Sequence, residues 1–304
     1  MKAWTLSPIV FFVYNRPWHA RQTIEALQKN ELAQDSELII YSDGPKTEED
    51  SLKVEEVRSY LKNVRGFAAV HIHEQKENQG LAQSIINGVT EMVNKYGRVI
   101  VLEDDLVTSP YFLKYMNEGL DLYDQDDRVI SLLGYVYPVK SSLPETFFLK
   151  GAHCWGWATW KRGWDLFEKN GEVLLKKLVD QKLTKAFDCN GTYPYTEMLK
   201  AQIMGKNNSW GVRWNASAFV NDKLTLFPGR SLVFNIGNDG SGTHCGADGT
   251  FDISMAQTPI IVNKIEAIEH PGARKILENF YRTMQESFGT RLRRKMRKIL
   301  KGML

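Results

Sequence analysis

The sequence predicts an α/β protein with a mostly parallel sheet and helices on both faces. Over the first 125 residues, β-forming apolar runs alternate with segments of helical period, the pattern of successive strand–helix–strand units. Each of the four strands in that stretch ends in polar residues: Asn15-Arg16, Asp43-Gly44, Glu77-Asn78 and Glu103-Asp104-Asp105. Ligands of parallel sheets gather beyond the carboxyl ends of the strands, so this shared polarity marks one edge as the working edge. With 304 residues, 43% hydrophobic and 25% charged, the chain can bury a sizeable core without staples.

The elements follow in order. Residues 8–14 form a buried strand, closed by "YNRP", where Pro17 starts a new element. "HARQTIEALQKN" repeats apolar Ala20, Ile24 and Leu27 at helical spacing, and "ELIIYSD" is the second strand, ending in the turn "DGPK". An acidic amphipathic helix spans "EEDSLKVEEVRSYLKNV" before the strand "AAVHIHEQ". In "GLAQSIINGVTEMVNKYG" the stripe Leu81, Ile85, Val89 and Val93 predicts a helix, followed by the fourth strand, "RVIVLEDD". "SPYFLKYMNEGLDLY" is helical, and residues 129–165 read as short strands and loops. A helical stretch at about 168–206, broken near "CNGTYP", precedes "SWGVRWNASAFV", the strand "LTLFP" and the glycine-rich "NIGNDGSGTHCGADG". No repeat or linker divides the chain. One domain is expected over 1–271, in two halves divided at about 125, with residues 272–304 as an extension.

Charge is unevenly placed. Residues 289–304 carry seven Lys or Arg and no acid, while the remaining 32 basic residues face 36 acidic ones. A mildly acidic body argues against bulk nucleic-acid binding. Three cysteines at wide spacing, without CxxC, give neither a zinc cluster nor a disulfide framework and fit a reducing cytoplasm. The apolar run "PIVFFVY" is too short to cross a bilayer. Leu292, Met296, Ile299, Leu300 and Met303 share one face of a helix whose remainder is basic. Such a helix reads as an anchor on an anionic membrane surface, each basic residue adding about 1 kcal/mol. A cytoplasmic protein on the inner face of the membrane is expected.

The acidic triplet Glu103-Asp104-Asp105 sits where a buried strand hands over to a helix. Three adjacent carboxylates repel one another, and a hard divalent cation such as Mn²⁺ or Mg²⁺ relieves that repulsion. Such ions take one or two carboxylates and complete their shell with phosphates and water.

"PIVFFVYNRP", "YSDGPK", "ENQGLAQSIINGV", "VLEDDLVTSPYFLKYMN" and "WGWATW" together resemble the nucleotide-sugar glycosyltransferases of the GT-A (Rossmann-like) fold. The likeness is strongest to bacterial family 2-like sugar transferases and more distant to N-acetylglucosaminyltransferase I, over about residues 7–250. It implies Asn15 and Arg16 at the nucleotide base and ribose, Asp43 accepting from a uracil N–H, and Asn78 and Gly80 bordering the nucleotide pocket. It also implies Glu103 at the donor sugar, Asp104 at the ribose or metal shell, and Asp105 as direct metal ligand. The glycine-rich stretch becomes a lid over the diphosphate, with His244 as a metal or pyrophosphate ligand.

Trp155, Trp157, Trp160 and Trp164 form a dense aromatic run, and sugars stack their C–H faces on indole rings. In the resembling family this region lines the donor-sugar and acceptor site, which places Trp155 or Trp157 against sugar. Trp210 and Arg213 in "SWGVRW" form a second such patch. An inverting transfer needs a base for the acceptor hydroxyl, commonly a carboxylate. The family's carboxylate falls near "KNNSWGVRW", where this chain has Asn207, Asn208 and Ser209. Glu197 is the substitute, with Asp188 a weaker one.

The resulting expectation is a metal-dependent inverting glycosyltransferase of bacterial surface-polysaccharide synthesis. It would use a uridine-diphosphate sugar and a glycan or lipid-linked acceptor. The alternatives are a sugar-1-phosphate nucleotidyltransferase, for which "YNRPWHA" lacks a glycine-rich phosphate loop, and a non-catalytic membrane- or glycan-binding protein.

Overall fold

A computed structural model describes residues 6–240 and 249–284. The first half runs β1 (Ile9–Val13), α1 (Pro17–Leu27), β2 (Glu37–Ser42), α2 (Glu48–Leu61), β3 (Ala69–Glu74), α3 (Leu81–Tyr96), β4 (Arg98–Glu103), the short β5 (Leu106–Thr108) and α4 (Phe112–Leu122). The second half runs β6 (Val129–Leu133), β7 (Thr146–Lys150), β8 (Trp157–Trp160), α5 (Lys161–Trp164), α6 (Gly171–Asp180), α7 (Thr184–Phe187), α8 (Tyr195–Ile203), α9 (Trp210–Val220), β9 (Leu224–Pro228) and β10 (Val233–Asn235). Residues 271–284 form a last helix.

Local chemistry accounts for these boundaries. β1 is "IVFFV", buried at every position, as a strand covered on both faces must be. Pro17 opens α1, where its missing N–H costs nothing. Thr47 and Asp50 close a reciprocal capping box at the start of α2. Ser209 caps α9 by accepting from the Val212 amide at 3.2 Å.

Among the described residues the strands make one eight-stranded sheet in the order β3-β2-β1-β4-β8-β6-β9-β7, and β10 pairs with β5 in a separate ribbon. β3, β2, β1 and β4 are mutually parallel, with Phe12 of β1 beside Tyr41 of β2 and Glu103 of β4. Connections run outward from β1 to β3 and then return across to β4, so the order reverses between β1 and β4. That reversal opens a crevice at the carboxyl ends of those two strands. β8 runs antiparallel to both β4 and β6, and β7 antiparallel to β9, so the far half of the sheet is mixed.

The apolar stretch 210–220, with its two tryptophans, forms α9, and every residue of that helix except Gly211 is buried. The expected extension from 272 begins within a helix that belongs to the main core: Ala273, Leu277 and Tyr281 are buried in the same cluster as the sheet residues. The basic stretch 289–304 and His244 lie outside the described residues. No described helix is long and apolar enough to cross a membrane.

Candidate active site at the acidic tip of the fourth strand

Arg16 follows β1 and Glu103-Asp104-Asp105 ends β4, so both flank the crevice where the strand order reverses. One guanidinium nitrogen of Arg16, Nη2, donates to Asp104 Oδ1 and also to Asp105 Oδ2, the latter at 2.8 Å. The other terminal nitrogen, Nη1, is buried without a hydrogen-bond partner among the described residues. Asp104 is almost fully buried, and its main-chain carbonyl accepts from Thr23 Oγ1 of α1 at 2.8 Å.

Burial sets the electrostatics. Loss of water pushes the Asp104 carboxyl up to about 6; Asp105 adds to this and Arg16 opposes it. Glu103 is pushed well above the usual carboxylate range by burial and then by Asp105 and Asp104 beside it. Burial weakens the Arg16 charge, but the two aspartates outweigh it and hold the guanidinium protonated. The crevice therefore gathers three carboxyl groups around a single guanidinium.

The β5–β10 ribbon brings a distant segment to this tip. The Ile236 amide donates to the Asp105 carbonyl at 2.9 Å. Gly237 follows, and a Cβ built there would lie 2.9 Å from Asp105 Cγ, so only a glycine lets the backbone pass so close to that carboxylate. Beyond it, His19 Nε2 of α1 stands 3.1 Å from Asp239 Oδ2.

The other residues expected to border a nucleotide are already hydrogen-bonded within the protein. Asp43 Oδ1 accepts from the Gly44 and Gln79 amides at 2.9 and 2.8 Å. Its Oδ2 accepts from the Gly80 amide at 2.9 Å and from Asn78 Nδ2 at 3.2 Å. A carboxylate has about four lone-pair sites, so Asp43 acts in this structure as the clamp that ties residues 78–80 to the end of β2. Gly80 sits at φ +75°, left-handed backbone that a side chain would strain, and starts α3 from there. Asn15 Nδ2 donates to Asp50 Oδ1 at 2.6 Å. Thus Asn15, Arg16, Asp43, Asn78, Gly80 and the acidic triplet all border the same strand ends.

The aromatic expectations divide. Trp155 is half-buried and meets Tyr135 edge-on at 4.7 Å and Phe251 at 5.6 Å. It lies two residues before Trp157, which pairs with Val101 near the end of antiparallel β4, so it reaches the acidic end of the sheet. Trp157 itself is 0% exposed, ringed by Trp164, Trp210 and Trp214 at 5.6, 5.4 and 5.8 Å. Trp210 is buried in that same cluster. Arg213 is buried too, its guanidinium donating to the carbonyls of Ser209 and Lys169. The expected sugar contacts by Trp157, Trp210 and Arg213 are corrected: these side chains are core, because β8 and α9 bury those faces against each other.

The two base candidates have structural partners. Glu197 is exposed on α8 and pairs with Lys200 at 2.8 Å. Asp188 Oδ1 accepts from the Thr196 amide at 2.6 Å and so caps α8 from the preceding turn. In the segment matching the family's base, Asn207 donates to the Met198 carbonyl and Ser209 caps α9.

Sequence reasoning missed Thr23, His19, Asp50 and Trp18. Only Asp50 carried a local signal, the Thr47-x-x-Asp50 spacing. Trp18 is 58% exposed on the first turn of α1, two residues from Arg16, and stands edge-on to His19 at 5.0 Å.

A divalent cation fits this donor set in one form only. Among the described residues no three His, Cys, Asp or Glu side chains are grouped so that they could hold a metal ion. Asp105 Oδ1 has no hydrogen bond among the described residues, and the partnerless Arg16 Nη1 lies in the same crevice. The residues fit an ion held by one carboxylate, with phosphate oxygens and water completing the shell.

No family model matches the chain, and no curated protein matches it. Similar solved structures include a mannosyltransferase, PcManGT, from Pyrobaculum calidifontis in complex with GDP-Man and Mn²⁺, at 14% identity, TM-score 0.31, over 45% of this chain and 40% of that one. Another is residues 1–349 of S. aureus TarS, at 12% identity, TM-score 0.42, over 76% of this chain and 61% of that one. The chain thus spans less than two thirds of either structure. At such identities and TM-scores the likeness carries no functional weight.

Proposed function

We propose that this chain is a divalent-cation-dependent inverting glycosyltransferase that moves a sugar from a nucleoside-diphosphate donor, a uridine-diphosphate sugar, to a glycan or lipid-linked acceptor. The observation that carries this reading is the meeting of Asp104 and Asp105 with Arg16 at the point where the strand order reverses. Nothing in the fold requires two aspartates and a glutamate packed side by side at a partly buried strand end. A polyanionic ligand brought in with its cation accounts for that cost. Asp105 would hold Mn²⁺ or Mg²⁺, which supplies charge neutralisation for the leaving diphosphate. Asn15, Asn78 and the loop clamped by Asp43 would frame the nucleoside, Glu103 would face the donor sugar, and Trp155 would offer an indole face to a sugar ring. Positioning and electrostatic stabilisation would then supply most of the rate. The basic stretch 289–304 supports work at the cytoplasmic face of an anionic membrane, where lipid-linked acceptors reside.

Asp105→Ala is the direct test. Thermal shift with UDP, with and without Mn²⁺, should show Mn²⁺-dependent stabilisation of the wild type that the variant loses. At 100 times its dissociation constant a ligand stabilises by about 2.7 kcal/mol. Undiminished Mn²⁺-dependent stabilisation of Asp105→Ala would remove the metal role. The absence of a carboxylate among Asn207, Asn208 and Ser209 favours a second reading, glycan binding without turnover. Slow Mn²⁺-dependent release of UDP from a UDP-sugar separates the two, because a binding module releases none.

A further inference from the structure

We propose that Arg16 is the resident counter-ion of the acidic crevice and must be drawn off the aspartates for a divalent cation to load, so that cation and diphosphate bind as one cooperative unit. The inference rests on the reading of Asp105 as a cation ligand and adds to it an order of events.

The geometry is specific. Arg16 Nη2 donates to Asp104 and Asp105 together, so the guanidinium already sits against the carboxylate that would hold a cation. A divalent ion arriving alone would share the Asp105 carboxylate with the guanidinium already on Oδ2. It would also leave that guanidinium beside a new double positive charge. The crevice offers Arg16 no alternative: Nη1 is already buried without a partner among the described residues, and the side chain is only 20% exposed. A buried donor stripped of its acceptor is costly, and more so when charged. A diphosphate changes this balance. Arginine binds phosphate oxygens through short, charge-assisted, forked hydrogen bonds, and the same phosphates complete the cation's shell. Arg16 then exchanges carboxylate for phosphate with no donor lost, and Nη1 gains an acceptor. Neither ligand alone achieves this, and coupling between two ligands of one site is reciprocal.

The consequence protects the donor-free protein: the acidic pair stays neutralised by Arg16 and does not collect stray divalent ions. Binding of Mn²⁺ to the full chain, read from the electron paramagnetic resonance of free Mn²⁺, tests this with and without UDP. The wild type should bind Mn²⁺ weakly alone and about tenfold or more tightly with UDP, within the usual range of coupling. Arg16→Gln should bind Mn²⁺ alone about tenfold more tightly than wild type, with a smaller gain from UDP. Arg16→Lys keeps a positive charge should the glutamine variant not fold; its side chain is shorter than that of arginine and lacks the planar fork, so it holds the carboxylates less closely and its affinity should fall between the two. If UDP raises the wild-type affinity but both variants bind Mn²⁺ alone no more tightly than wild type, the counter-ion role is overturned and the glycosyltransferase reading stands. If no form binds Mn²⁺ even with UDP, both fall together.

Discussion

Replacing Trp157 by alanine separates a core tryptophan from a sugar-binding one. Its indole is wholly buried on β8, with Trp164, Trp210 and Trp214 all within 5.8 Å. Those neighbours sit on α5 and α9, two elements that reach the cluster from different parts of the chain and cannot both collapse into the gap. Large-to-small changes at such aromatic sites cost about 3–5 kcal/mol. One feature trims that figure: Trp157 Nε1 is buried without a hydrogen-bond partner among the described residues, and removing an unsatisfied donor returns about 1–3 kcal/mol. A net loss centred on about 2 kcal/mol, and no more than about 4 kcal/mol, is expected. Urea unfolding followed by tryptophan fluorescence reads it as a lower midpoint at constant slope. The control is Trp155→Ala, which should lose under about 2 kcal/mol, since the ring is only half-buried and much of its area already faces solvent. Donor turnover, measured well below either melting temperature, should fall for Trp155→Ala and hold for Trp157→Ala. If Trp157→Ala stays within about 1 kcal/mol of wild type and loses turnover, the assignment of β8 to the core is wrong.

Asp43→Asn tests the clamp: whichever way the amide lies, its NH₂ faces two of the four present donors, which should cost about 2–3 kcal/mol in urea unfolding. An unchanged midpoint would leave Asp43 free for ligand. Glu197→Gln should keep donor turnover within about twofold, as befits a surface carboxylate paired with Lys200; a loss of a hundredfold or more would restore it as the base. His153 supplies a pH dependence. Burial, with Arg274 nearby, lowers its pKa to about 4 from the ordinary 6.5, so its contribution is complete above 6.5 and lost as pH falls toward 4. The loss should approach about 1.4 kcal/mol per pH unit in that window, and His153→Phe should flatten this part of the stability profile. An unchanged slope in the variant would show that His153 is not the group responsible.

How far the sequence could be read depended on the range of the interaction. The four parallel strands were legible because each is a continuous apolar run closed by polar residues, and that same punctuation located Arg16, Asp43, Asn78 and the acidic triplet. Those positions do share one sheet end. Their bonding was not legible. Asp43 looks identical in sequence whether it accepts from a ligand or from Gly44, Asn78, Gln79 and Gly80. The tryptophan run failed for a related reason. Density of indoles says nothing about which face of β8 is covered, and α9, which covers Trp157, lies more than fifty residues further on. Arg16 was expected at the base and ribose from the resemblance of its motif; its bridge to Asp104 and Asp105 spans nearly ninety residues and has no local signal.

The ribbon that joins Asp105 to Ile236 also has a bearing on synthesis. Arg16, Thr23 and Asp104 are all translated within the first half of the chain, so their contacts can form while the ribosome is still making the remainder. The amide of Ile236 arrives some 130 residues after Asp105, and pairings that distant form late. A nascent chain would therefore carry its acidic tip already neutralised through most of elongation, and would acquire the strap across it only near completion.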